Sequence, residues 1–240
     1  MSKRNVAIVT GASSGIGLGL TRALLEQEYA VVATSRTITT AGVLIASEQL
    51  ALVEGDIAHE QTAALIVETA VQRFGCIDLL VNNAGIFIGK PFTDYTAEDV
   101  KKLVATNLFG FFFLTQQSIR QMRKQRSGHV INISATIADQ PIVGAPAVIP
   151  ILTKGGLNVA TRALAVEYAH EGIRVNAIAP GTIDTPLSQK GDPEFLKQLQ
   201  PMQRIGTVSE IADAVLYLTG ASFITGEVLH IDGGAHAGKW

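Results

Sequence analysis

Val6-Ala7-Ile8-Val9-Thr10-Gly11-Ala12-Ser13-Ser14-Gly15-Ile16-Gly17 is the stretch whose reading decides the fold. Val6 to Val9 is a short apolar run and reads as a buried strand. Leu18 to Glu28 reads as a helix. Between them lies a turn rich in glycine. Gly11 can take the tight turn that other residues resist. Gly15 and Gly17 let backbone approach a phosphate and let the helix pack close to the sheet. The unpaired amides at the helix start would then face an anion, helped by the helix dipole. Glycine turns also serve plain structural roles, and it is the strand–turn–helix context that favours a cofactor cradle. No Lys-Ser/Thr pair ends the motif, which argues against a P-loop nucleotide triphosphatase.

The chain has 240 residues, enough for one large α/β domain with a substantial core, so a single domain over 1–240 is expected. The formal net charge of −2 and the isoelectric point near 6.2 give no reason to expect nucleic acid or an anionic membrane as partner. Cys76 is the single cysteine, which excludes an internal disulfide and a cysteine metal cluster. No metal is expected, and a reducing, cytoplasmic home fits that count. Mean hydropathy is high at +0.28. Even so, the longest apolar run, Leu108 to Leu114, contains Gly110 and falls far short of the ~18 residues a membrane span needs. The chain enters its first strand soon after Lys3 and Arg4, so no signal peptide is visible. The apolar excess instead points to a sheet covered on both faces and to a subunit interface.

Apolar runs alternate with helical patterns along the whole chain. Strands are expected at Val6–Thr10, Ala30–Thr34, Leu50–Glu54, Leu79–Asn82, His129–Ile133, Arg174–Ala179 and Val228–Ile231. In Glu60–Phe74 the residues Ala63, Ile66, Val67, Ala70 and Phe74 recur on one helical face. Leu157–His170 repeats the pattern with Leu157, Ala160, Leu164 and Tyr168. The alternation predicts a doubly wound parallel sheet of about seven strands with helices on both faces. Right-handed crossovers place the strand C-termini along one edge, where ligands bind. Thr185–Pro201, with Pro186, Gly191, Pro193 and Pro201 near that edge, is expected to be the most mobile part.

Further motifs fall at the strand ends. Asn82-Asn83-Ala84-Gly85 follows the fourth strand, and Ala105-Thr106-Asn107-Leu108 lies in the helix after it. Pro180-Gly181, then Thr182, Ile183 and Thr185, follows the sixth. Thr225-Gly226 and Ile231-Asp232-Gly233-Gly234 close the series. In this order, together with the opening turn, they resemble the short-chain dehydrogenase/reductase family from about Lys3 to Gly234. The resemblance implies a Rossmann-like fold and a nicotinamide dinucleotide. It implies that Gly11, Ser13, Ser14, Ile16 and Gly17 line the pyrophosphate. Asp56 would bind the adenine with Ile57 beside it, and Asn83, Ala84 and Gly85 would run beneath the adenosine ribose. Lys154 would grip the nicotinamide ribose. Pro180 and Gly181 would belong to the cofactor site, with Ile183 and Thr185 contacting the carboxamide. Asn107 would belong to the catalytic group and could hold a water that relays a proton.

Cofactor choice turns on the end of the second strand, where an acid would bind a ribose 2′-hydroxyl and repel a 2′-phosphate. Thr34-Ser35-Arg36 has no acid there. Ser35 fills the usual acidic position, and the Arg36 guanidinium offers a planar fork of donors to phosphate. NADP(H) is therefore favoured over NAD(H). An arginine lying across the adenine would tolerate either.

The chain departs from the family at the catalytic centre. The family places a tyrosine four residues before the lysine to protonate the substrate oxygen, and this chain has Pro150 there, in Pro150-Ile151-Leu152-Thr153-Lys154. Proline is at home in the first turn of a helix, so Lys154 can still be presented one turn later. Of the four tyrosines, Tyr29, Tyr95, Tyr168 and Tyr217, none matches the family position. Aligning Ile131-Asn132-Ile133-Ser134-Ala135 puts Ala135 where the family's serine stands, and a frame shifted by one residue would bring Ser134 there instead. A general acid is worth ~10²–10⁴-fold and an oxyanion donor ~10²–10³-fold, with overlapping losses.

Three readings follow. In the first, the chain is an NADP(H)-dependent oxidoreductase with a substitute proton donor. Lys154 itself is one such donor and Tyr95 another, while Asp139 and Thr136 are read as solvated loop residues. Its substrates would then be activated carbonyls, quinones or iminium compounds. The second reading is a catalytically silent NADP(H)-binding sensor or subunit, and the third is a lyase or isomerase using the same pocket. Ile86, Phe87, Ile142 and Val143 as pocket lining favour an apolar small molecule. Phe111, Phe112 and Phe113 span most of a helical turn, so at least one faces outward, and a homodimer or homotetramer is expected.

Overall fold

The structure is a computed structural model that describes residues 4–238, so Lys3 lies outside the described residues. Seven parallel strands form one sheet in the order β3-β2-β1-β4-β5-β6-β7. They are β1 (Val6–Thr10), β2 (Ala30–Ser35), β3 (Leu50–Glu54), β4 (Leu79–Asn82), β5 (Gly128–Ile133), β6 (Ile173–Pro180) and β7 (Val228–Ile231). Three strands run a residue or two beyond the expected bounds, because Ser35, Gly128, Ile173 and Pro180 continue the parallel ladders. After β3 the chain returns to pair β4 on the other side of β1. That reversal opens a crevice at the C-terminal ends of β1 and β4.

Helices cover both faces, which is why the strands are apolar on both sides rather than alternating. Val6 and Ile8 of β1 face α2 (Glu60–Phe74), α4 (Gly110–Gln125) and α5 (Val148–Tyr168). Ala7 and Val9 face α1 (Gly15–Glu26) and α7 (Val208–Gly220), whose Leu20, Leu24, Ile211, Val215 and Leu218 are buried. The predicted face of α2 is the buried one, and the helix ends where Gly75 takes φ +90°.

Two helices differ from the periodic reading. α1 starts at Gly15, three residues early, so Gly15, Ile16 and Gly17 form its first turn. It stops before Glu28, which takes φ +61°. α5 begins at Val148 rather than Leu157, and Pro150 sits in its first turn, where a missing N–H breaks no helical bond. Its buried face is Leu157, Asn158, Thr161 and Ala165, while Leu164 and Tyr168 pack at the core's margin and Ala160 is half-buried. The shift by one position reflects two polar residues, Asn158 and Thr161, that the apolar period could not count.

Those residues serve a buried polar chain through the sheet. Asn82 Nδ2 donates to Thr115 Oγ1 at 2.8 Å and to Asn132 Oδ1 at 2.9 Å. Asn132 Nδ2 in turn donates to Thr161 Oγ1 at 2.9 Å. The chain links α4, β4, β5 and α5, and buried polar groups of this kind tolerate no missing member.

Between β6 and α7, Thr185–Pro201 carries a 3₁₀ turn at Ser188–Lys190 and a short helix, α6 (Pro193–Gln198), capped by Asp192. Among the described residues no helix is long and apolar enough to cross a membrane.

Candidate active site

The crevice opens into a cleft of about 760 Å³, lined at one end by the glycine turn and at the other by apolar side chains. Thr10, at the end of β1, is the joint of the first end. Its Oγ1 accepts the Asn83 and Ala84 amides at 3.0 and 2.9 Å, and its carbonyl accepts Asn83 Nδ2 at 2.8 Å. The segment after β4 is thereby stitched to the turn after β1. Gly11 and Gly15 take φ +67° and +51°, conformations that side chains disfavour. Gly17 is excluded from bearing a side chain for another reason: a Cβ there would stand 2.3 Å from the Gly11 carbonyl oxygen. Ser14 is extended at the helix start, no side chain caps α1, and no acid lies in its first turn. These amides are therefore left to an external acceptor.

Beside the cradle, Ser35 Oγ accepts the Thr37 amide at 3.2 Å. Arg36 lines the cleft, and its guanidinium has no hydrogen-bond or ion-pair partner among the described residues. Asp56 caps its own turn by accepting the Ala58 amide at 2.9 Å. Ile57 is buried against Gly110, where an added Cβ would meet Ile57 Cδ1 at 2.4 Å.

At the centre, a π-helical turn at Ala105–Phe109 between α3 (Ala97–Val104) and α4 buries Asn107. Asn107 Oδ1 accepts the Ile86 amide at 2.9 Å, and its Nδ2 donates to the Ile86 carbonyl and to Thr153 Oγ1, both at 3.1 Å. Thr153 Oγ1 donates in turn to the Pro150 carbonyl at 3.0 Å. Lys154 Nζ donates to the Ile133 carbonyl at 2.7 Å. Burial lowers the Lys154 pKa to about 8 from the ordinary 10.5 by penalising the charged form. Gly85 lies over both groups, since a Cβ there would stand 3.2 Å from Lys154 Nζ and 3.3 Å from Asn107 Oδ1. A cradle that a Cβ would fill and an uncapped helix start together fit a dinucleotide.

The family described as enoyl-(acyl carrier protein) reductase matches residues 11–236. A 3-oxoacyl-(acyl-carrier-protein) reductase, FabG, of Aquifex aeolicus is 36% identical over 243 residues, covering 95% of this chain and 96% of that one. The chain belongs to the short-chain dehydrogenase/reductase family.

Solved members of the family superpose along their whole length. ElxO with NADP bound aligns at a TM-score of 0.88 and 32% identity, covering 98% of this chain and 100% of that one. A 3-ketoacyl-(acyl-carrier-protein) reductase from Brucella melitensis, complexed with NADH, aligns at 0.90 and 29% identity, covering 97% and 98%.

In this short-chain dehydrogenase/reductase, Gly11, Ser13, Ser14, Ile16, Ser35, Arg36, Asp56, Ile57, Asn83, Ala84, Gly85, Lys154, Pro180, Gly181, Ile183 and Thr185 all line the one cleft. Gly17 stands behind it as a backbone contact, and Asn107 braces Ile86 from below. Pro150, Ser134 and Ala135 line the centre. The Ser134 hydroxyl donates to the Lys154 carbonyl at 3.2 Å and is committed to α5. No tyrosine lines the cleft. Tyr95, weighed above as a substitute donor, instead gives its hydroxyl to the Ile88 carbonyl at 2.6 Å. Ile86, Phe87 and Ile142 line the apolar end as expected, but Val143 points away into solvent at 98% exposure.

Thr136 is not a solvated loop residue, whereas Asp139 is exposed as expected but holds two partners. Thr136 is buried and donates to Asp232 Oδ2 at 2.9 Å. Asp139 holds Asn158 Nδ2 at 3.0 Å and faces His230 Nε2 at 3.1 Å. The ring of His230 stacks on that of His236 with centroids 4.0 Å apart. His236 Nδ1 lies 2.9 Å from Asp232 Oδ2, which closes a circuit back to Thr136. Burial pushes the Asp232 carboxyl up, yet hydrogen bonds from Thr136, His236 and two backbone amides hold it below the usual range. Only Asp232 stood in a legible motif, since isolated histidines carry no periodic signal. Buried Gln200 is another residue that periodicity missed. It braces the cleft by accepting the Thr182 amide at 3.2 Å.

Proposed function

We propose that this chain binds NADP(H) and transfers hydride to or from an apolar small molecule that needs little help from a protein acid. One observation carries the reading: a single cleft joins the glycine cradle and Arg36 to an apolar end, with Lys154 between them and no tyrosine hydroxyl. The bound nicotinamide supplies the hydride. Arg36 gives a 2′-phosphate its partner, and the α1 amides hold the pyrophosphate. Lys154 holds the nicotinamide ribose, fixed by Ile133, while Asn107 keeps the Ile86 backbone in place. Pro150 and Ala135 offer no proton, so favoured substrates stabilise their own charge: quinones, diketones and other activated carbonyls, or iminium compounds. The same two residues favour a second reading, a silent NADP(H)-binding subunit.

The protein's partner is a second copy of itself. Phe109 at the end of the π-helical turn, Phe112 on α4, and Leu152, Val159 and Val166 on α5 are half or more exposed. A homodimer or homotetramer covers them, as light scattering will test.

NADPH titration followed by a panel of quinones, diketones and iminium compounds decides between the readings. Binding with hydride transfer supports the first. Binding without transfer supports the silent subunit. Substrate consumed at constant NADPH absorbance assigns a lyase or isomerase, and failure to bind either dinucleotide overturns all the dinucleotide readings.

A further inference from the structure

We propose that Lys154 is a carbonyl-capturing amine, one that forms a Schiff base with apolar aldehydes and ketones when no dinucleotide fills the cleft. Four observations meet at this side chain. The cleft is wide enough, at about 760 Å³, to admit such a compound beside Nζ. Among the described residues the only hydrogen-bond partner of Nζ is the Ile133 carbonyl, 2.7 Å away, which orients the amine without neutralising its charge. Pro150 and Ala135 line the same wall and present no hydroxyl to compete for the carbonyl oxygen. Ile86, Phe87 and Ile142 give the compound an apolar seat.

Amines that attack carbonyls must be neutral, and lysines become so when desolvated in apolar pockets. With its pKa held at about 8 by burial, Lys154 carries a neutral fraction at pH 7 on the order of 100-fold above that of an ordinary lysine. The step balances without any oxidant or reductant. The Nζ lone pair adds to the carbonyl carbon and the C=O π pair moves to oxygen. The oxygen takes one proton from the amine and one from solvent and leaves as water. The product is a protonated C=N bond on Lys154.

The inference shares the cleft with the proposed function and rests on that reading only for its competition with NADPH. The wild-type protein is incubated at pH 7 with hexanal and sodium cyanoborohydride, with and without NADPH, and digested for mass spectrometry. NADPH binding is measured separately by fluorescence. Lys154 is expected to be alkylated at least tenfold faster than exposed Lys101, Lys102 and Lys124, and NADPH is expected to suppress the difference. Because the ratio is read within one protein, no variant has to fold. Labelling of Lys154 no faster than the surface lysines overturns the proposal. Fast labelling that bound NADPH leaves untouched supports capture and overturns the placement of the ribose at Lys154. Fast labelling without any NADPH binding supports capture and overturns the proposed function.

Discussion

Gly17 and Gly11 lie backbone against backbone, and a Cβ on residue 17 would stand 2.3 Å from the Gly11 oxygen and 2.5 Å from Asn83 Nδ2. Neither neighbour is the free end of a flexible side chain. Gly17→Ala therefore spreads the turn and breaks the stitch between Thr10 and Asn83. Overpacking of this kind costs about 1–3 kcal/mol. Denaturant unfolding is expected to report that loss, and NADPH fluorescence to report lost binding.

Among the described residues Arg36 has no partner to release before it meets a phosphate. A hydrogen bond to a charged group is worth about 1.5–3 kcal/mol. Arg36→Ala is expected to raise the NADPH dissociation constant roughly 10–100-fold and leave that for NADH within a factor of about three. An equal loss for both dinucleotides would place the guanidinium on the adenine instead.

Pro150 is buried in the first turn of α5 and lines the cleft one turn before Lys154. Pro150→Tyr with Ala135→Ser restores a hydroxyl pair at the centre. Reduction of ordinary ketones by NADPH is expected to rise ~10²–10⁴-fold over the parent, the usual worth of a general acid. A parent that already reduces them at the variant's rate would refute the account of the centre.

Lys154 links stability to pH. The unfolded chain keeps this proton to about 10.5 and the folded chain only to about 8. Between these values the unfolded state binds more protons, so this group makes stability rise with pH. Below pH 8 both states are protonated and the folded one bears the whole desolvation penalty. Lys154→Met is expected to exceed wild type in denaturant midpoint at pH 7, with the gap closing toward pH 10.5.

Asn132 is the middle of the chain that joins Asn82 to Thr161. Asn132→Ala orphans a donor on one side and an acceptor on the other. Each costs about 1–3 kcal/mol, which the urea midpoint will measure.

The parallel sheet was legible because strands buried on both faces are apolar runs, and because the glycines and asparagines mark where those runs end. The boundaries of α1 and α5 were less so. The glycines at the start of α1 read as turn rather than helix, and the apolar period of α5 becomes clear only from Leu157, although Pro150 fits the first turn it occupies. The cradle end of the site was legible for the same reason as the sheet: its groups are backbone, announced by glycine. The apolar end depends on side chains from distant loops, so Val143 and Thr136 were each assigned to the wrong environment. The π-helical turn that buries Asn107 leaves no mark on composition.

The circuit Thr136–Asp232–His236–His230–Asp139 joins residues 96 and 91 positions apart. It has a consequence for the order of assembly. A chain leaving the ribosome can form the glycine turn within its first few dozen residues, but the wall behind Ala135 cannot lock until His236 has emerged. The glycine turn is thus encoded at the start of synthesis and the shape of the reacting pocket at its end. A nascent chain stalled before residue 230 would hold the first without the second.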